Sequence, residues 1–175
     1  LYNGITLVQY GGLSQVLKKL WIVYVAAAVL FFAPDAAAEL CVEHIALDVA
    51  APEATAKWWC ENLGFHIAAK LPEPPYAIFI VNSSGQFAME LYRDSNTPDA
   101  PDYSKMSPDK MHLAFVSDDL DGDVRRLVAA GAKLVSREKN SGNELLMLRD
   151  PSGIPIQLVK RAVPLCKTDC DVRKR

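Results

Sequence analysis

The sequence predicts an α+β fold in which one β-α-β-β-β unit is written twice. Three observations carry that reading. The phrase VEHIALDV from Val42 is echoed by MHLAFVSD from Met111, each with a histidine, an apolar residue, an alanine and another apolar residue in sequence. His112 follows His44 by 68 residues, and Gln157 follows Glu90 by 67. Between those markers the strand, helix and turn signals recur in one order.

In the first copy, Val42 to Val49 alternates and is β-branched, as a strand should be. Pro52 suits a first helical turn, EATAKWWCENL supplies good helix formers, and Gly64 ends the helix. Phe65 to Leu71 reads as a strand, PEPP breaks the chain, and Ala77 to Val81 is a strand. Asn82-Ser83-Ser84-Gly85 is a turn leading to a strand from Phe87 to Arg93. The polar stretch from Asp94 to Asp109, with Pro98, Pro101 and Pro108, is a linker. The second copy opens with a strand from Met111 to Val116. Asp118 and Asp119 cap a helix that runs to Ala130 and stops at Gly131. Strands follow at Lys133 to Arg137, Glu144 to Arg149 and Ile156 to Lys160, separated by turns at Ser141-Gly142-Asn143 and Asp150-Pro151-Ser152-Gly153. Module one therefore covers 41–93, the linker 94–109 and module two 110–161, within a domain of 39–163 followed by a polar tail, 164–175.

Residues 1–38 belong to a different regime. Lys18-Lys19 precede the apolar run Leu20 to Ala33, and Ala36-Ala37-Ala38 precede Glu39, the pattern of a secretory signal peptide. The 14-residue run is short of the roughly 20 that a spanning helix needs. The expectation is an exported protein, periplasmic or secreted, cut near Ala38 and without stable membrane association afterwards. Residues 1–17 are set apart from the fold. Export would carry Cys41, Cys60, Cys166 and Cys170 into an oxidising compartment, with three pairings open. A net charge of −2 gives no electrostatic footprint for nucleic acid.

Alternation places His44, Ala46 and Asp48 on one strand face and Ile45 and Leu47 on the other. It likewise separates His112 and Ala114 from Leu113 and Phe115. The bulky faces suit packing under the helices, and the histidine faces would combine into a cup. Glu90 interrupts the apolar strand QFAMELY, sharing its face with Ala88 and Tyr92, and a carboxylate facing a covered interior needs a partner or a metal. Two histidines and one carboxylate are ligand types for a divalent metal with open positions.

The stretches EHIALDV, KWWCENLGFHI, FAMELYR, MHLAFVSDDLD and LRDPSGIPIQLVKR resemble the glyoxalase/bleomycin-resistance/extradiol-dioxygenase, or vicinal oxygen chelate, superfamily. The resemblance spans Cys41 to about Arg161. It implies paired βαβββ modules forming a cup-shaped mixed sheet with helices on the outer face. It also implies metal ligands at His44, Glu90 and His112, with Gln157 as a fourth ligand or substrate contact and Ala46, Ala114 and Tyr92 lining the pocket. The second module's last strand usually supplies Glu where this chain has Gln157, so Glu90 is left as the catalytic carboxylate. The implied activity is that of a lyase or isomerase, in which a divalent metal (Zn, Ni, Co, Mn or Fe) chelates adjacent oxygens of a small-molecule substrate. An Fe(II) extradiol dioxygenase and a non-catalytic, antibiotic-binding protein of the bleomycin-resistance type are the alternatives. The cup could close within one chain or across a homodimer.

Overall fold

The structure, a computed structural model, describes residues 42–72, 76–96, 99–163 and 165. The predicted signal segment, most of the PEPP break, Pro98 and three of the four cysteines lie outside the described residues. Cys60 is described, half-buried and free. Among the described residues no helix is long and apolar enough to cross a membrane.

The first module runs β1 (His44–Asp48), α1 (Pro52–Leu63), β2 (Phe65–Leu71), β3 (Tyr76–Asn82) and β4 (Ala88–Arg93). The second runs β5 (Leu113–Val116), α2 (Leu120–Ala129), β6 (Lys133–Asn140), β7 (Asn143–Arg149) and β8 (Pro155–Lys160). Each module forms its own mixed sheet, ordered β1-β4-β3-β2 and β5-β8-β7-β6, so the duplication read from the sequence holds strand for strand. In both, the first strand pairs in parallel with the fourth, which requires a crossover, and α1 and α2 supply it.

Local chemistry sets the boundaries. Gly64 closes α1 in a left-handed conformation, φ 74°. Asp119 caps α2 by accepting from the Gly122 N–H. The linker contains a short 3₁₀ turn, Tyr103–Lys105, that polar composition did not announce. Its Tyr103 is buried and donates its hydroxyl to the Asp48 carbonyl, 2.9 Å away.

One element starts later than predicted. The reading of the sequence began the fifth strand at Met111, but β5 starts at Leu113, leaving His112 just outside it. Leu113 pairs with Ile156, so the residue one step earlier on the partner strand is Pro155. Proline has no N–H for a ladder, and pairing stops there. In the first module the corresponding partner of His44 is Ala88, and the ladder includes the histidine.

The two modules join through their helix-bearing faces. Leu47, Ile80, Met89 and Leu91 of the first sheet share one core with Leu146, Leu148, Ile156 and Leu158 of the second. Trp59 of α1 is the centre of the junction. Its ring meets Phe65 at 5.5 Å and Phe115 at 6.0 Å, edge to face, and its Nε1 donates to Asp150 Oδ2 at 2.8 Å. Trp58 Nε1 reaches the Ala130 carbonyl at 2.7 Å. Asp150 is buried in the turn before β8, and its other oxygen accepts from the Ile154 N–H. Burial pushes this carboxyl above its ordinary value, against the pull of those hydrogen bonds.

Candidate metal and ligand site

The opposite faces of the sheets carry the candidate site. Register puts Ala46, Glu90, Phe79 and Ala69 side by side across the first sheet. His44 lies one pleat along, and its ring packs edge-on against Phe79 at 5.7 Å. Its Nε2 stands 3.5 Å from Glu90 Oε2, with both side chains half-buried. Its Nδ1 is bonded to the Glu43 carboxylate. Glu43 precedes β1, which begins at His44, so strand alternation does not fix the side on which it lies.

Across the second sheet, Ser136, Met147, Gln157 and Ala114 form the equivalent row. His112 is exposed, and its Nδ1 lies 2.9 Å from the Pro108 carbonyl. A carbonyl only accepts, so Nδ1 carries the proton and Nε2 is free. A carboxylate on His44 Nδ1 does the same for that ring. Both histidines thus have one nitrogen held by an oxygen acceptor and Nε2 turned over to other partners, an arrangement typical of ligating imidazoles.

A cavity of about 360 Å³ opens on this second face. Met147 and Gln157 line it from the middle of the sheet, Ser136 and Glu138 from β6, and Pro108 and Asp109 from the linker. Every lining residue comes from the linker or the second module. Phe79, Glu43, Asp109 and Glu138 were not legible as site residues. The first packs by register with a distant strand, the second precedes its strand, and the third sits in a linker. Of the residues expected to line a pocket, Ala46 and Ala114 are exposed on the two outer faces and Tyr92 is half-buried beside Asp48.

The structure therefore brings His44 to Glu90 and sets His112 and Gln157 on the other module. Among the described residues, no three histidine, cysteine, aspartate or glutamate side chains gather closely enough to hold one metal. A catalytic zinc centre uses three protein ligands. The donor types fit a divalent ion, and the described residues of one chain bring two of them together, His44 and Glu90. The cup expected from the sequence is not closed within the chain, because the modules meet through the helix-bearing faces instead.

A family model described as a glyoxalase-like domain matches residues 44–159. The chain belongs to that family, within the vicinal oxygen chelate superfamily. Among solved structures, this glyoxalase-like chain resembles an antibiotic binding protein from Streptomyces sp. CB03234, with 21% identity and a TM-score of 0.56 over 71% of this chain and 98% of that one. A glyoxalase family protein from Bacillus cereus matches at 19% identity and a TM-score of 0.54, covering 73% and 96%. A glyoxylase/bleomycin resistance protein/dioxygenase domain from Frankia sp. EAN1pec matches at 22% and 0.55, covering 70% and 98%. At these identities the likeness is one of fold. A comparison with curated protein sequences finds no match.

Proposed function

We propose that this chain is an exported, glyoxalase-like metalloprotein, a lyase or isomerase for a small molecule with adjacent oxygens, and that two copies build each cup. The observation that carries the reading is the matched state of the two histidines. Each has Nδ1 held by an oxygen acceptor, at Glu43 and Pro108, while His44 Nε2 faces Glu90 Oε2 at 3.5 Å and His112 Nε2 has no partner among the described residues. Such second partners orient ligating histidines and fix their tautomer.

A second copy is the natural complement. The outer faces expose Ala46 on one sheet and Ala114 and Val116 on the other, and β1 and β5 each pair on one side only. Unpaired strand edges are templates for another chain. Under twofold symmetry the first module of each copy would face the second module of the other, giving two equivalent cups. His44 and Glu90 of one copy would then complete His112 and Gln157 of its partner.

Bound between them, a divalent metal would polarise the substrate's adjacent oxygens as a Lewis acid. The chain's own residues supply the rest. Glu90 is the carboxylate among the ligand-position side chains, and it would take up and return the proton while the two histidines hold the metal. Gln157 hydrogen-bonds but holds no charge, so proton transfer is confined to the Glu90 side of each cup. Elemental analysis beside the mass in solution tests this: a dimer carrying divalent metal supports it, and a metal-free monomer removes it.

The cavity on the second sheet favours a second reading, binding without catalysis, because it forms from the linker and second module without His44 or Glu90. The likeness to an antibiotic binding protein supports the same reading. Ligand affinity unchanged by EDTA would select it. Export rests on the pattern from Lys18 to Ala38, and the N-terminal sequence of the mature protein tests it.

A further inference from the structure

We infer that Arg149 is a positioning residue for His112, acting through the linker whose Pro108 carbonyl holds the imidazole. His112 lies outside β5, so no ladder orients it. Its Nδ1 contact with the Pro108 carbonyl is the hold that the described residues provide. His44, by contrast, is fixed by its ladder partner Ala88 and by Glu43. The orientation of His112 is therefore only as firm as the linker. That His112 is a ligand belongs to the preceding reading, on which the role of Arg149 in the site rests; the clasp on the linker itself needs no metal.

Arg149, at the end of β7, ties that linker down. Its Nη1 donates to the Tyr103 carbonyl at 2.6 Å and to the Gly153 carbonyl at 3.0 Å. Its Nη2 donates to the Met106 carbonyl at 2.6 Å, two residues before Pro108. Hydrogen bonds from an ionised donor are the stronger kind, and the planar guanidinium fork holds its acceptors in one fixed geometry. Other arginines serve carboxylates: Arg93 pairs with Asp48, Arg126 with Asp123, and Arg137 with Asp121 and Glu144. Arg149 has no carboxylate partner among the described residues, and its donors go to the backbone of the linker and of the β7–β8 turn. Gly153 secures the same contact from the turn. Its φ is 85°, and a Cβ there would stand 2.7 Å from the Ser104 nitrogen, so only glycine lets the turn approach the linker this closely. Just beyond it β8 begins at Pro155 and carries Gln157, so one clasp locates both second-module groups of the site.

The test is the ring ¹⁵N NMR spectrum of the purified full chain, stripped of metal with EDTA, at about pH 8, where an imidazole is ordinarily neutral. A nitrogen that bears the proton and a bare one resonate far apart, and the spectrum of His112→Gln assigns the signals. Held by the Pro108 carbonyl, the wild-type ring should carry its proton on Nδ1. Arg149→Gln and, independently, Gly153→Ala should release the linker and return the proton to Nε2, the form a free imidazole favours in water. The His44 and His66 signals should stay where they are. Arg149→Lys reaches one carbonyl at a time and should give an intermediate ring, which serves in place of Arg149→Gln if that variant does not fold. Arg137→Gln breaks side-chain pairs elsewhere on the same sheet and should change nothing at His112. A wild-type proton on Nε2, a His112 ring that any folded Arg149 or Gly153 variant leaves as in wild type, or an equal change in Arg137→Gln would each overturn the inference. The ligand reading fails separately, through the metal content of the unaltered chain, which these metal-free spectra do not involve.

Discussion

In the first module the histidine stands inside a strand, beside a carboxylate, with Phe79 against its ring. In the second it stands just before the strand, tied to a linker carbonyl, with an amide in place of the carboxylate. The inner faces are alike, since Leu47, Leu91, Leu146 and Leu158 all enter one core. The outer faces have diverged. Burial constrains volume on the inside, whereas the outside is free to change its chemistry one donor at a time. Pro155 illustrates the point: it is buried and tolerated next to an edge, yet it releases His112 from the ladder.

The largest effects are expected at the junction between the modules. Trp59→Ala removes the ring that touches Phe65, Phe115 and Asp150 together, and should cost about 3–5 kcal/mol, read from urea unfolding. Leu127→Ala empties a buried site on α2 and should fall toward the lower end of about 2–5 kcal/mol. Equal losses would mean that the helices contribute alike and that Trp59 is no special link between modules.

The half-sites can be sharpened next. Glu43→Ala frees the His44 ring and should weaken metal binding about 10–100-fold, by analogy with other outer-shell partners. Glu53→Ala, on the exposed start of α1, should leave it unchanged. Competition with a chromogenic chelator measures both. A smaller effect follows from Gly64, whose φ of 74° is left-handed and whose missing Cβ would meet nothing within 4 Å. Gly64→Ala should therefore cost only the backbone strain, about 1 kcal/mol.

The gentlest test is one of pH. Burial raises the Asp150 pKa in the folded state, so the folded chain holds that proton after the unfolded chain has released it. Stability falls as pH rises from the ordinary carboxylate range through the raised value. Wild type should lose stability relative to Asp150→Asn over that window, and a difference independent of pH would contradict the assignment.

Much of this was legible in the sequence, for physical reasons. Alternation separated Leu47 from Ala46 because one face is buried and the other exposed. Glycines and capping residues marked the helix ends because only they suit those backbone positions. The pairing of modules was not legible, since two like sheets can present the same pattern to each other or to another copy. Glu43 and Asp109 also escaped, because neither lies within a strand, where periodicity carries information.

In the proposed dimer each cup takes half of its ligands from each of two copies. Mixing His44→Ala chains with His112→Ala chains tests it directly. Each variant alone should bind no divalent metal. After joint unfolding and refolding, hybrid dimers should recover about one metal each, because one of the two cups reunites an intact His44, Glu90, His112 and Gln157. No recovery on mixing, or full metal binding by an isolated monomer of the unaltered chain, would contradict it.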